Sequence, residues 1–367
     1  DDNSSVAAEE ILRDVSEICQ EICLSAGNLR ADSRSVEILE ETLPEETDLI
    51  LAVGGGTIHD LSRYVAAQRR IPFLSVPTAA SMDGFLSTTA DLSQDGMKKR
   101  VPARAPLYVF ADTDIFSKAP YRLTAAGISD LLGKYICLAD WRIAHAVTGE
   151  YICEEICSLE YKAVKDVVKR LDDIREGDAE ACERLMYALL LSGLAMQMAG
   201  GPRPAFCAEH HLSCLWEMEV INESTDALHG EQVGVGLLLA EKYYRRIQKA
   251  IENGRCEIRR HEGLEKELLQ TTFGSHGLYE AVMDENTPDP LDEVDPERLR
   301  RAFSEIAEIL DDIPSRERLM DMMEEGGCRV SLSEIGLPES LEEESLALAP
   351  YVGRQMSLLR LGKLLVI

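Results

Sequence analysis

Asp48-Leu49-Ile50-Leu51-Ala52-Val53 runs directly into Gly54-Gly55-Gly56-Thr57-Ile58-His59-Asp60, and this junction decides the fold. A short apolar run reads as a buried strand, and three consecutive glycines remove every Cβ where the chain must turn sharply into a helix. Bare N–H groups at a helix N-terminus can hold an anion such as a pyrophosphate. The same stretch also serves as a tight strand-to-helix turn with no ligand, and on these residues alone both readings stand.

Working outward, Ile71-Pro72-Phe73-Leu74-Ser75-Val76-Pro77 reads as a second compact strand and Leu107-Tyr108-Val109-Phe110-Ala111-Asp112 as a further buried one. Helical patterns cover Asp60 to Gln68, Ser35 to Thr42, and Val6 to Ser25, the last through Ile11, Val15, Ile18 and Ile22. Strands alternating with helices predict a parallel α/β sheet. Beyond Ser117 the strand runs stop. Long helical periods follow over Ala125–Val147, Tyr151–Arg175, Ala179–Ala199, Leu228–Ile251 and Pro296–Leu310, with breakers such as Thr287-Pro288-Asp289-Pro290. The expected organisation is an α/β domain over residues 1–117 and an all-helical domain over residues 118–367. Glu342-Glu343-Glu344 is expected as a solvated loop or helix face.

The composition narrows the function. A formal charge of −28, from 66 acidic and 38 basic residues, repels nucleic acid and anionic membranes, so neither is an expected partner. An anionic substrate would need a local cluster of cations or a metal. Ten cysteines are scattered through helical patterns without a CxxC pair, which suits reduced thiols in a cytoplasm. The longest apolar stretch, around Tyr187 to Met198, is too short to span a bilayer. The chain begins Asp1-Asp2-Asn3 rather than with Met, so a processed or truncated N-terminus is expected.

Seven histidines are few for this length. Glu209-His210-His211 opens a helix after Gly200-Gly201-Pro202-Arg203-Pro204, His229-Gly230-Glu231 starts another, and Asp130 sits within Gly127-Ile128-Ser129-Asp130. Two imidazoles and a carboxylate make an open site for a divalent metal such as Zn2+. Each histidine taken singly also fits a capping or solvated role.

With the glycine turn, Ser75-Val76-Pro77-Thr78-Ala79-Ala80-Ser81-Met82-Asp83-Gly84, Val109-Phe110-Ala111-Asp112, Leu123-Thr124-Ala125-Ala126-Gly127-Ile128-Ser129-Asp130 and His229-Gly230-Glu231-Gln232-Val233-Gly234 form an ordered set. That set resembles the sn-glycerol-1-phosphate dehydrogenase family, within the superfamily of iron-containing alcohol dehydrogenases, glycerol dehydrogenases and dehydroquinate synthases. The resemblance runs from about Asp48 to the C-terminus. It implies a Rossmann-like parallel-sheet domain followed by a dehydroquinate synthase-like helical domain, with the active site between them. It also implies that Gly54, Gly55, Gly56, Thr57 and Asp60 border a dinucleotide pyrophosphate, with Thr78, Ser81 and Ser87 also on NAD or NADP. Asp83 would hold a substrate hydroxyl. Asp130, His210 and His229 would bind Zn2+, or Ni2+ or Fe2+, with Asp130 also near the substrate. The implied reaction is reversible reduction of dihydroxyacetone phosphate to sn-glycerol 1-phosphate. Lys98, Lys99 and Arg100, and Lys134 one turn beyond Asp130, are candidate cations for the small phosphorylated substrate. A solvated loop is the other reading of the triplet.

Three departures stand out. The family pattern Ser-Gly-x-Glu-His-x-x-Ser-His is here Phe206-Cys207-Ala208-Glu209-His210-His211-Leu212-Ser213-Cys214, so a weakly donating thiol replaces the substrate-side imidazole at Cys214. His211 is expected to point about 100° away from His210 on a helix. The turn carries His59 where an apolar residue is common. At the front, the family's first strand–helix–strand unit is not evident in the 47 residues before Asp48. Missing strands would expose a sheet edge, and a homo-oligomer is expected. The residues leave room for a dehydrogenase of another polyol or polyol phosphate such as glycerol, for a dehydroquinate synthase-like lyase, and for a non-catalytic remnant with an incomplete dinucleotide site.

Overall fold

A computed structural model describes residues 1–15 and 20–367, so Ile18 of the expected first helix lies outside the described residues. The chain opens with α1 (Ser5–Val15) and α2 (Ser33–Thr42). The second starts where the Asp32 carboxylate accepts from the Ser35 N–H at 2.8 Å, which satisfies one free donor of the first turn. Then β1 (Ile50–Gly54), α3 (Gly56–Arg69) and β2 (Phe73–Pro77) form the strand–turn–helix–strand unit expected from the glycine junction. The two strands pair in parallel, Ile50 opposite Phe73 and Gly54 opposite Pro77. Ile50, Ala52 and Phe73 pack with Ile58, Leu61 and Val65 of α3 in one hydrophobic core.

The segment 107–110 adds to the far side of β2, with the Leu107 N–H on Phe73 O at 2.9 Å and the Phe110 N–H on Ser75 O at 2.8 Å. It is not the buried strand expected, because Leu107, Tyr108 and Phe110 are 60%, 67% and 54% exposed. An apolar run of this length reads alike at the centre and at the edge of a sheet, and here it is the edge. Among the described residues no strand precedes β1; α1 lies beside it instead, with the Ser4 hydroxyl on Val53 O at 3.4 Å.

An antiparallel hairpin not anticipated as strands follows, β3 (Thr89–Gln94) and β4 (Met97–Pro102). Its two-residue turn, Asp95 and Gly96, has φ of 52° and 80°, the left-handed pair that matches strand twist. Ala90 and Leu92 belong to the α/β core, whereas Met97 belongs to the larger helical core. The hairpin therefore bridges the two.

Helices follow: α4 (Thr113–Phe116), α5 (Tyr121–Leu132), α6 (Lys134–Thr148), α7 (Glu154–Val168), α8 (Leu171–Glu176), α9 (Ala179–Ala199), α10 (Ala208–Glu217) and α11 (His229–Glu252). Shorter helices complete the chain. Periodicity located α9 and α11 to within a residue, but it merged α5 with α6 across Gly133 and α7 with α8 across Lys169–Arg170. A helical phase continues through a break of one or two residues, so the pattern alone does not reveal it. Glu342-Glu343-Glu344 forms the first turn of the helix Glu342–Leu348, where carboxylates suit the positive end of the dipole.

The layers around the cleft touch backbone to backbone. A Cβ on Gly127 of α5 would lie 1.9 Å from Ala80 O, and one on Gly230 of α11 would lie 2.1 Å from Ala126 O. Asp130 is one turn beyond Gly127 and His229 adjoins Gly230, so these contacts set the spacing of both. Gly230→Ala should cost about 1–3 kcal/mol or more, since neither backbone can yield. A thermal melt with Tm equal to that of the parent would overturn this.

Candidate active site

The helix-to-helix break at Gly133 leaves Asp130 in the last turn of α5, fully buried. His210 comes from the first turn of α10, and His229 is the first residue of α11. One donor atom from each of the three lies within 4.8 Å of the others, and the two imidazole centroids are 5.3 Å apart. Both rings are aimed by carboxylates. His210 Nδ1 meets Glu209 Oε1 at 2.8 Å and His229 Nδ1 meets Glu217 Oε1 at 2.6 Å. With Nδ1–H donated in this way, Nε2 is the atom of each ring left to meet a ligand, which a metal would bind by displacing its proton.

The electrostatics favour a cation. Burial alone would lower the His210 pKa, but Asp130 and Glu209 outweigh it and lift the value to about 9. His229 is raised too, against its burial, chiefly by Glu217. Asp130 is held low by His210 and Lys134 despite complete burial. Its Oδ2 accepts from the Asp83 N–H at 2.8 Å, while buried Oδ1 makes no hydrogen bond and lies 3.4 Å from His210 Nε2. An orphaned carboxylate oxygen facing two oriented imidazoles is a donor set that a divalent ion satisfies, with coordination positions left open.

α10 is itself anchored at its N-terminus by buried Asp140, which accepts from the Ala208 N–H at 3.3 Å, the Leu358 N–H at 2.7 Å and the Tyr244 hydroxyl at 2.8 Å. His211 points away from the cluster to Gln355, 3.2 Å, and burial holds it neutral with a pKa of about 3. His59 is likewise a core residue, its Nδ1 on Gly55 O at 2.8 Å and its ring edge-on to Phe85.

His229 opens onto a cavity of about 410 Å³ whose lining includes Gly55, Gly56, Thr57, Asp60, Ser81, Asp83 and Ser87. Gly54 and Thr78 stand behind this wall, joined by the Thr78 N–H on Gly54 O at 3.1 Å. α3 begins at Gly56 with no side chain capping it and no acid in its first turn. A Cβ on Gly55 would meet nothing within 4 Å. Packing therefore does not demand glycine there; an anion lying against the helix N-terminus would. Burial lifts the Asp60 pKa to about 6, against the pull of Arg63.

Asp83 is held from behind. Lys134 Nζ at 2.6 Å and Ser192 Oγ at 2.9 Å both bond its Oδ2. Lys134 is completely buried, so it sits in this pair and not in the open cavity where a free substrate clamp would be. Cys214 is also buried and is not among the residues lining the cavity; burial, with Glu217 and Asp91, pushes its thiol up, so it stays neutral. Lys98 and Arg100 line the cavity while Lys99, on the opposite face of β4, is exposed.

Sequence reasoning missed several supports. Glu209 and Glu217 were legible only by position: one adjoins His210, and the other is two turns on along the same helix face. Arg63 carries no such signal. Its guanidinium, fully buried, donates to the carbonyls of Phe85, Ser87 and Thr89 at 3.1–3.2 Å and so pins the loop that carries Asp83 and Ser87 onto α3. Asp91, which holds Arg100, was also unforeseen.

The chain matches the family model of iron-containing alcohol dehydrogenases over residues 3–120. It is 37% identical to a glycerol-1-phosphate dehydrogenase (NAD(P)+) of Geobacillus stearothermophilus, over 94% of this chain and 80% of that one. A relative of the same name from Geobacillus thermodenitrificans is 37% identical over 86% of this chain and 71% of its own. Among solved structures, a probable glycerol dehydrogenase from Sinorhizobium meliloti superposes with a TM-score of 0.59 at 18% identity, covering 97% of this chain and 84% of that one. That last likeness concerns the fold.

Two predictions follow from the geometry. Glu217→Gln should weaken Zn2+ retention about 10- to 100-fold in a chelator competition, because it removes the charge that orients His229; unchanged retention would count against this ligand set. Glu160, behind Asp83, has both carboxylate oxygens buried without partners, and burial raises its pKa from 4.5 to about 8 despite Lys134. The folded state then binds a proton that the unfolded chain has released, so this group costs stability as pH rises from about 4.5 through 8. Glu160→Gln should leave Tm unchanged near about pH 5 and raise it near about pH 9. Equal shifts at both pH values would sink the assignment.

Proposed function

The chain belongs to the glycerol-1-phosphate dehydrogenase family of iron-containing alcohol dehydrogenases, and on that premise we propose that it reversibly reduces dihydroxyacetone phosphate to sn-glycerol 1-phosphate with NADH or NADPH. One observation carries the reading. Two carboxylate-oriented imidazoles and an unpartnered Asp130 oxygen converge beside a cavity that is also lined by the uncapped start of α3.

In this reading Asp130, His210 and His229 would hold the ion, for which we favour Zn2+ over Ni2+ or Fe2+. A divalent ion there supplies Lewis-acid polarisation of a ketone oxygen, and the dinucleotide supplies or accepts the hydride. The N–H groups around Gly55, Gly56 and Thr57 would receive the pyrophosphate, with Ser81 and Ser87 along the nicotinamide half and Gly54, Asp60 and Thr78 shaping the turn. Asp83 would take a substrate hydroxyl at Oδ1, because Lys134 and Ser192 already occupy Oδ2. The buried ammonium of Lys134 holds the position of Asp83. Met82, Leu123, Ala126 and Leu228 give the cavity an apolar wall that limits water around the reacting carbon. Reduction adds one hydride and one proton to the ketone, giving a secondary alcohol.

We read the α/β part as residues 1–117, which would carry the dinucleotide, and the helical part as residues 118–367, which would carry metal and substrate. The exposed edge at Leu107, Tyr108 and Phe110 supports a homo-oligomer. No helix of the described residues is long and apolar enough to cross a membrane. Scattered free thiols such as Cys137, Cys207 and Cys256 support a cytoplasmic setting.

Titrating metal-loaded protein with NADH and NADPH, then assaying dihydroxyacetone phosphate against dihydroxyacetone and glycerol, tests the proposal. Dinucleotide binding with a higher kcat/KM for the phosphorylated ketone is expected. Failure to bind either dinucleotide would favour a non-catalytic remnant, and a preference for glycerol would favour a polyol dehydrogenase.

A further inference from the structure

Among the described residues, four Arg or Lys side chains line the cavity: Arg30, Arg63, Lys98 and Arg100. Arg63 is spent on backbone carbonyls of the Phe85–Thr89 segment. Arg30 stands half exposed at the rim, bound to Glu219 at 2.8 Å and to Ser224 at 2.6 Å. The remaining two belong to β4 and, two residues apart, share one face of the strand.

Each is fixed by a carboxylate that leaves donor capacity over. Lys98 Nζ pairs with Glu217 Oε2 at 2.5 Å, the same carboxylate whose Oε1 aims His229. An ammonium has three donors, so others remain. Arg100 forks onto Asp91 through Nε at 2.6 Å and Nη2 at 2.5 Å, and Nη1 is buried with no partner. A buried charged N–H without an acceptor is costly, and an arriving oxygen would relieve it. The guanidinium also lies 3.9 Å above the Phe206 ring, and that ring is 4.8 Å from His210. Both cations thus stand beside the imidazoles, Arg100 through Phe206 and Lys98 through Glu217.

We propose that Lys98 and Arg100 form a phosphomonoester dianion site, with Glu217, Asp91 and the Phe206 face holding them in place, and that it receives the substrate phosphate. This rests on the function proposed above and adds the residues that distinguish a ketose phosphate from the free ketose. The adenosine 2′-phosphate of NADPH offers the same chemistry. The position beside His210 and His229 favours the substrate.

The test compares kcat/KM for dihydroxyacetone phosphate with that for dihydroxyacetone, under NADH, in the parent, Lys98→Gln, Arg100→Gln and the double variant Arg100→Gln/Asp91→Asn, which leaves no buried charge unpaired. The ratio should fall about ten- to a hundredfold for each, through KM more than kcat. Lys98→Arg should restore most of it. Equal losses on both substrates would mean a structural role only and overturn the proposal. So would a loss confined to NADPH over NADH preference, which would assign the site to the dinucleotide. Thermal shifts with inorganic phosphate separate this site from the reaction. If phosphate stabilises the parent but not the variants while triose phosphate is not turned over, the site stands and the reaction falls. If turnover is present and the variants keep both ratio and shift, the site falls.

Discussion

Close backbone contact across three layers is the constraint on which the rest of the molecule depends. The loop at Ala80, helix α5 and helix α11 meet carbonyl against glycine, at Gly127 and Gly230, with no side chain between them. At that separation Asp130 and His229 are one short turn from fixed points, and the Asp83 amide can reach the Asp130 carboxylate. A methyl group inserted at Gly127 would push α5 from the loop at Ala80, and one at Gly230 would push α11 from α5, so either would shift a metal-site residue.

Charge is arranged around that constraint. Asp130, Glu209 and Glu217 surround two imidazoles, and the resulting field raises both histidine pKa values even though burial opposes it. A cluster so rich in carboxylates is stable only if protons or a metal supply positive charge. Lys134 and Lys98 meet part of the demand, one through Asp83 and the other through Glu217. The strongly acidic chain thus confines its cations in the cleft to a few carboxylate-fixed positions.

The β3–β4 hairpin links the two halves. It belongs to the α/β core through Ala90 and Leu92 and reaches the helical core through Met97. Its Lys98 touches the outer carboxylate of His229 and its Arg100 lies on Phe206, beside His210. Phe206 and Cys214 differ from the family pattern at positions facing this strand. Phe206 has a partner in the fold that a small residue would not hold, since only an aromatic face supports the guanidinium. Cys214 remains a neutral thiol in the same neighbourhood.

The glycine junction, the Ser-Met-Asp-Gly string and the His-Gly-Glu start of α11 were legible because their chemistry is local: a turn without Cβ atoms, a helix beginning, a residue order. From them came the parallel strand–helix–strand unit, the long helices α9 and α11, and Asp130, His210 and His229 as a set. Other features could not be read. The edge position of Leu107–Phe110 depends on what fails to cover it, and the break at Gly133 is silent in a 3.6-residue period. Pairings such as Lys98 with Glu217, Arg100 with Phe206, and Arg63 with three carbonyls join residues distant in sequence. Those are matters of which surfaces meet. The sequence by itself determined the family, the order of elements and the donor types; only the tertiary structure decided which carboxylate aims which imidazole and which cations face the cavity, because electrostatics and hydrogen bonding act over a few ångströms of space rather than along the chain.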